Sequence, residues 1–195
     1  RGSGPQIATT GPPPDAHLGA QATEDLLFRI QSDLPSLMSS ATLDYDGGDV
    51  RDLAFIGDGE LTYRPSDLSE GTHTLSFSMH QPFVPWPVRR SWTFTVDETK
   101  PVVEITGPTR PAVRNAPVTL SGHVNEVATV TVDDAPVPVA ADGTFSLTFP
   151  EPPASAVTVR AVDRAGNSRG VRTGIPLAPR PPAELTRAVH MTAIS

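Results

Sequence analysis

Two stretches of the chain carry its clearest pattern: LTYRPSDLSEGTHTLSFSM (residues 61–79) and SWTFTVDETKP (residues 91–101). In both, large apolar residues alternate with small polar residues, mainly Ser and Thr. This alternation is typical of strands that bury one face and expose the other. The buried set predicted from it is Leu75, Phe77, Met79, Trp92, Phe94 and Val96.

The same alternation recurs upstream of these stretches and restarts after Pro101. Clusters of Gly, Asp, Asn and Pro separate the predicted strands, and no stretch has the periodicity of a long helix. The best helical candidate, residues 34–38, is one turn long. We therefore predict an all-β fold of two tandem antiparallel β-sandwiches, residues 24–99 and residues 100–176.

The two ends of the chain differ from this pattern. Residues 1–23 are rich in Gly and Pro and contain few large apolar side chains, which predicts a flexible N-terminal tail. Residues 176–182, PLAPRPP, predict an extended polyproline segment. Residues 177–195 are therefore interpreted as a linker that leads to the start of a further domain.

Composition excludes several functional classes. The 195 residues include no Cys, so neither a disulfide framework nor a thiolate-ligated zinc site is possible. The net charge of −7 disfavours a nucleic-acid partner, which would favour a basic surface. No apolar run has the roughly 18 residues of a membrane span. Residues 25–98 carry the excess acidic charge, with 12 acidic and 5 basic residues.

Specific phrases add a family resemblance. The pattern P-x-x-L-x-x-G-x-H ending at His73, followed by W-x-F-x-V-D ending at Asp97, resembles bacterial immunoglobulin-like repeats. The phrase V-D-x-A-G-N, residues 162–167, resembles the penultimate strand and turn of a second repeat. The resemblance implies two immunoglobulin-like sandwiches of the kind that precede catalytic domains in bacterial polysaccharide enzymes.

The C-terminal residues extend the resemblance. Residues 189–193, VHMTA, resemble the first barrel strand in a family of bacterial glycoside hydrolases, although Ala188 replaces the family's Gly. A complete barrel needs roughly 200 residues or more, so it does not fit here. This resemblance implies an actinobacterial, secreted or cell-envelope protein, with any signal or anchor upstream and the catalytic domain downstream.

The loop between the two opening stretches is the first candidate for binding. Phe83 and Trp86 lie among prolines, and Arg89 and Arg90 follow. Aromatic rings stack on sugars and guanidinium groups bond hydroxyls, so these four residues are candidates for contact with a carbohydrate or a protein partner. The alternative is that the loop plugs the end of the sandwich.

Two groups of acidic residues are candidates for a calcium site. The spacing of Asp44, Asp46 and Asp49 does not fit an EF-hand loop, and a solvated hairpin turn explains it better. A looser site at the junction of the two sandwiches would use Asp97 and Glu98. Otherwise no cofactor is expected.

Other conspicuous residues have structural interpretations. His73 lies at a sandwich corner, where a side chain returns to bond upstream backbone. Residues 163–167, DRAGN, fit a hairpin turn, because Gly166 or Asn167 tolerates positive φ.

No catalytic residues are expected within the chain, because no hydrolytic or phosphate-binding motif occurs in it. Three functions therefore remain open. The chain is a spacer that positions a downstream catalytic domain, a carbohydrate-binding module for cell-wall polysaccharide, or a surface module that docks another protein.

Overall fold

The computed structural model describes residues 6–82 and 84–180. Strands are the main regular structure of this part, and its helices are a five-residue α1, Ala20–Glu24, and two 3-10 turns, Pro35–Ser40 and Arg51–Leu53. The strands are β1 Ile7–Thr10, β2 Ala16–Leu18, β3 Phe28–Ser32, β4 Thr42–Tyr45, β5 Gly48–Asp49, β6 Phe55–Gly57, β7 Glu60–Tyr63, β8 Gly71–Met79, β9 Val88–Val96, β10 Val103–Gly107, β11 Val118–Val124, β12 Ala128–Val132, β13 Ala135–Val137, β14 Thr144–Phe149, β15 Val157–Asp163 and β16 Ser168–Thr173. No helix in the described ranges has the length and apolar content to cross a membrane.

The first sandwich contains β1 to β9 in two sheets. Their strand orders are β1-β3-β7-β6 and β2-β9-β8-β4-β5. All pairs are antiparallel except β2 with β9, which is parallel. The β8–β9 hairpin pairs over its full length, from Gly71 opposite Val96 to Met79 opposite Val88. This hairpin corresponds to the two stretches whose alternation predicted the fold.

Alternate residues of both sheets meet in one core, as the period-two pattern predicted. Trp92 is half-buried at its edge and packs edge-on against Phe28, with ring centroids 5.5 Å apart. The side chains with at most 1% exposure include Phe28, Ile30, Leu43, Leu61, Leu75, Phe77, Met79, Phe94 and Val96.

The second sandwich contains β10 to β16, again in two sheets. The orders are β10-β11-β14 and β13-β12-β15-β16, with every pair of named strands antiparallel. Its core is built mainly from valines, with Leu120 and Phe145, and it shares no buried residue with the first core. The predicted all-β class and paired sandwiches are confirmed.

The prediction of a flexible tail over residues 1–23 is wrong for residues 7–23. β1 pairs with β3, and β2 pairs with β9, so the chain contributes an edge strand to each sheet. Residues 11–14, GPPP, carry the chain from one sheet to the other. Gly11 packs beneath Trp92, where a Cβ would lie 2.9 Å from the indole nitrogen. Proline is tolerated here because residues 12–14 lie between the strands, where no ladder needs their backbone donors.

The C-terminal boundary also shifts. Leu177 forms a parallel bridge with Ala112, and the Ala178 N–H donates to the Ala112 carbonyl at 2.9 Å. The second sandwich therefore extends to Ala178, beyond the predicted boundary at residue 176. The predicted barrel strand, residues 189–193, lies outside the described residues.

Candidate functional site

The loop between β8 and β9, described at residues 80–82 and 84–87, lies at the end of the first sandwich that is remote from the second. This follows from the direction of β9, which runs from the loop towards the connection with β10. The Trp86 side chain is 66% exposed there, so it does not plug the sandwich end. Exposed Leu34 lies at the same end, between β3 and the turn Pro35–Ser40. Phe83 lies outside the described residues.

Arg89 and Arg90 begin β9 and point to opposite sides of its sheet. Arg89 lies opposite Ser78 on the outer face, whereas Arg90 lies opposite buried Phe77 at the open end of the sandwich. The Arg90 guanidinium donates to the Arg89 carbonyl at 2.8 Å. The predicted set is therefore divided, because Arg89 belongs to the sheet face and Trp86 to the tip.

The connection between the sandwiches, residues 97–102, is held on its first-sandwich side by Glu70. The Glu70 carboxylate accepts from the Thr99 hydroxyl at 2.6 Å and from the Glu98 N–H at 3.0 Å. These two hydrogen bonds, the Thr99 hydroxyl first, lower the pKa of Glu70. The connection therefore cannot leave the first sandwich without breaking charge-assisted bonds.

The second sandwich holds the same connection through two asparagines. The Asn125 side-chain oxygen accepts from the Val102 N–H at 2.7 Å, and the Asn125 N–H donates to the Val102 carbonyl at 3.2 Å. The Asn167 amide donates to the Asp97 carbonyl at 2.7 Å. The connection is thus bonded to both of its neighbours.

Three carboxylates meet at this junction. Oxygens of Asp97, Glu126 and Asp163 lie within 4.8 Å of one another. Burial, and then the charges of Asp163 and Asp97, raise the pKa of Glu126. Both Asp163 oxygens already accept bonds from Asn167, each at 2.9 Å. The fold therefore groups Asp97 with Glu126 and Asp163 instead of with Glu98. The calcium site stays a prediction.

Glu126 and Asn167 were not identified as junction residues from the sequence. Glu126 follows β11 without any motif around it, and the residue types around Asn167 indicate only a turn. The turn is present, since the Asn167 N–H bonds Asp163, but its amide also reaches across to the first sandwich. Only the pairing of distant strands brings these groups together.

The three carboxylates of the acidic hairpin, residues 44–49, are hydrogen-bonded to groups of the first sandwich. Asp44 accepts from the Gly47 N–H at 2.8 Å, and Asp49 accepts from the Arg51 N–H at 3.0 Å. Asp46 accepts from the Thr74 N–H at 2.7 Å and also bonds His73. These bonds match the interpretation as a hairpin turn.

His73 is buried between two acceptors. Its Nδ1 lies 2.6 Å from an Asp46 carboxylate oxygen and its Nε2 lies 2.7 Å from the Ser69 carbonyl oxygen. Its ring stacks on Tyr45 with centroids 5.6 Å apart. Burial alone lowers the pKa of His73, but the bonds to Ser69 and Asp46 and the charges of Asp46 and Asp67 outweigh it, so the pKa is raised. The return bond to Ser69 is the expected corner contact.

The fold also resembles that of solved structures. Fibronectin(III)-like modules of Clostridium thermocellum CbhA superpose with a TM-score of 0.50 at 12% identity, over 88% of this chain and 95% of theirs. The chain has an immunoglobulin/fibronectin III-like fold. No family model and no curated protein matches it.

Two further structures show weaker likeness. Sidekick-1 immunoglobulin domains 1–5 give a TM-score of 0.46 at 12% identity, covering 90% of this chain and 39% of theirs. SGBP-B of the Bacteroides ovatus mixed-linkage glucan utilization locus, solved in complex with a mixed-linkage heptasaccharide, gives a TM-score of 0.32 at 15% identity, covering 89% of this chain and 47% of that one. At such identities the likeness concerns the fold alone.

Proposed function

We propose that this chain is a non-catalytic accessory region of a secreted or cell-envelope carbohydrate-active protein. In this role the two sandwiches hold a downstream catalytic domain at a set distance and orientation from the cell wall. The resemblance to modules of bacterial polysaccharide enzymes suggests this setting. The observation that carries the mechanical role is the connection of residues 97–102, hydrogen-bonded to both sandwiches.

Chain direction supports the same role. The chain enters the first sandwich at Ile7, which pairs with Ser32 at the end remote from the connection. It leaves the second sandwich near Leu177, beside Ala112 and beyond the far end of β10. Segments before and after the two sandwiches therefore start at opposite ends, as a spacer requires. A short bonded connection transmits orientation better than a flexible linker of equal length.

Releasing the connection should uncouple the sandwiches. In the triple variant Glu70→Ala/Asn125→Ala/Asn167→Ala, the four side-chain hydrogen bonds to residues 97–102 described above are lost. Residual dipolar couplings should give one common alignment for both sandwiches of the natural chain and two different alignments for the variant.

The matched control is Glu60→Ala. Glu60 is also a hydrogen-bonded carboxylate of the first sandwich, accepting from Gln31 at 2.7 Å, but it lies on β7 away from the connection. This variant should keep the common alignment. Independent alignment of the two sandwiches in the natural chain would overturn the spacer role.

A second candidate function is carbohydrate contact through Trp86, favoured by the exposure of its indole at the tip. Titration of cell-wall polysaccharide should then shift the tryptophan fluorescence and reach saturation. Trp86→Ala should weaken binding roughly tenfold or more, since stacked aromatic anchors dominate such contacts. Leu53→Ala, which removes an equally exposed apolar side chain elsewhere on the first sandwich, should bind normally. If no polysaccharide changes the signal, while an envelope protein is bound through Trp86, the protein-docking function replaces this one.

A further inference from the structure

The outer face of the β4–β8–β9 sheet contains a groove of about 380 Å³, which Arg89 lines and Trp86 does not. Two cross-strand rows form it. One row places Thr42, Ser78 and Arg89 side by side, and the next places Asp44, Ser76 and Ser91 side by side. Small hydroxyl side chains therefore form its floor, with the Arg89 guanidinium at one side and the Asp44 carboxylate at the other. Phe77 and Arg90 also line it, although they lie opposite each other in the two inward-facing positions of β8 and β9.

The groove offers both hydrogen-bond donors and acceptors. Thr42 and Ser78 hydroxyls lie 2.6 Å apart, so together they keep donor and acceptor capacity for a ligand. Asp44 uses Oδ1 for the Gly47 N–H and keeps Oδ2 as an acceptor. Among the described residues, no ion pair or side-chain hydrogen bond occupies the Arg89 guanidinium.

Short side chains favour binding here for two further reasons. Ser and Thr lose little rotamer entropy when a ligand orders them, compared with Lys or Glu. They also let a ligand approach the sheet closely. The groove spans two strand spacings, so its outer strands, β4 and β9, lie about 10 Å apart. The volume lies within the range of small-ligand sites.

The charges around the groove favour a neutral ligand over an anionic or a cationic one. On the outer face, the Arg89 guanidinium and the Asp44 carboxylate carry opposite charges, whereas the Arg90 guanidinium, from the inward-facing position, is bonded to the Arg89 carbonyl. An anionic ligand would meet Asp44 and the acidic excess of residues 25–98, and a cationic one would meet Arg89. A neutral polyhydroxylated ligand can donate to the carboxylate and accept from the guanidinium at once.

We infer that this groove binds a short stretch of a neutral polysaccharide. The inference does not rest on the spacer role, and it uses a surface distinct from Trp86. The hydroxyl groups of the ligand span the two rows of side chains, and Asp44 and Arg89 bond different sugar hydroxyls.

The test follows backbone amide signals of the full chain by NMR during titration with cellohexaose, xylohexaose, mannohexaose and oligogalacturonate. At least one neutral oligosaccharide should shift the amides of Ser76, Ser78 and Ser91 in a saturable way. Tighter binding of oligogalacturonate would overturn the charge argument. Shifts confined to residues 80–87 would show that the Trp86 loop binds the carbohydrate, and would contradict binding in the groove.

Two variants measure how much individual groove side chains contribute to the affinity, and a third variant, on strand β8, serves as the control. Ser76→Ala should weaken binding roughly two- to tenfold and Arg89→Ala roughly tenfold or more, as expected for neutral and charge-assisted hydrogen bonds. Thr72→Ala removes a hydroxyl from the same face of β8, two rows beyond Ser76, and should leave affinity unchanged. Equal affinities in all three variants would overturn the inference. So would absence of binding by every oligosaccharide, or amide shifts that track self-association on dilution.

Discussion

Replacing Phe28 by Ala should lower the free energy of unfolding of the first sandwich by about 3–5 kcal/mol and leave the second sandwich unaffected. Phe28 is fully buried and packs against both Trp92 and Phe94. Its removal leaves a cavity that the rigid β3 and β9 strands cannot fill. A loss of this size is a large part of the total stability of a small domain.

The measurement is urea unfolding followed by two signals. Both tryptophans, Trp86 and Trp92, belong to the first sandwich, so their fluorescence reports that unit alone. Far-ultraviolet circular dichroism reports both units. Phe55→Ala is the control, because Phe55 is 70% exposed and its truncation should change stability by no more than about 0.5 kcal/mol. A single merged transition in the Phe28→Ala variant would contradict the independence of the two cores.

Raising the pH from 6 to 8.5 should destabilise the first sandwich through His73. Both partners of the ring, the Asp46 carboxylate and the Ser69 carbonyl, are acceptors, so only the doubly protonated imidazolium donates to both. The pKa of His73 is raised in the folded state above the unfolded value of 6.5. The stabilisation is therefore fully present below pH 6.5 and is lost as the pH rises through the folded pKa.

His73→Gln should lower the unfolding free energy at pH 6 by about 1–3 kcal/mol and flatten this pH dependence. The urea midpoint from tryptophan fluorescence, measured at several pH values, checks both effects. His80→Gln serves as the control, since His80 is an exposed loop histidine. An unchanged pH slope in His73→Gln would show that another group titrates.

Local pattern was sufficient for most strands. The alternation around Phe77 and Phe94 predicted which faces are buried, because side-chain direction in a strand depends only on residue parity. The turn after Tyr45 was also predictable, because Asp46 and Gly47 both adopt positive φ and their residue types tolerate it.

Local composition misled at the N-terminus. Residues 7–18 contain a four-residue and a three-residue strand separated by residues 11–15, GPPPD, and both strands are too short for their periodicity to be recognised. Their order comes from partners far along the chain, Ser32 for Ile7 and Phe94 for Ala16. An edge strand is stabilised by the sheet that it joins, so its own sequence carries little signal.

Fold class, module number and the corner role of His73 followed from residue types and their spacing, since these depend on interactions within a few residues or one strand. Three other features did not follow from the sequence. They are the junction cluster of Asp97, Glu126 and Asp163, the groove between Asp44 and Arg89, and the outward position of Trp86. Each of these features depends on which strands become neighbours and in what register. That choice is made by burial of the two cores as a whole, and no local stretch of sequence contains it.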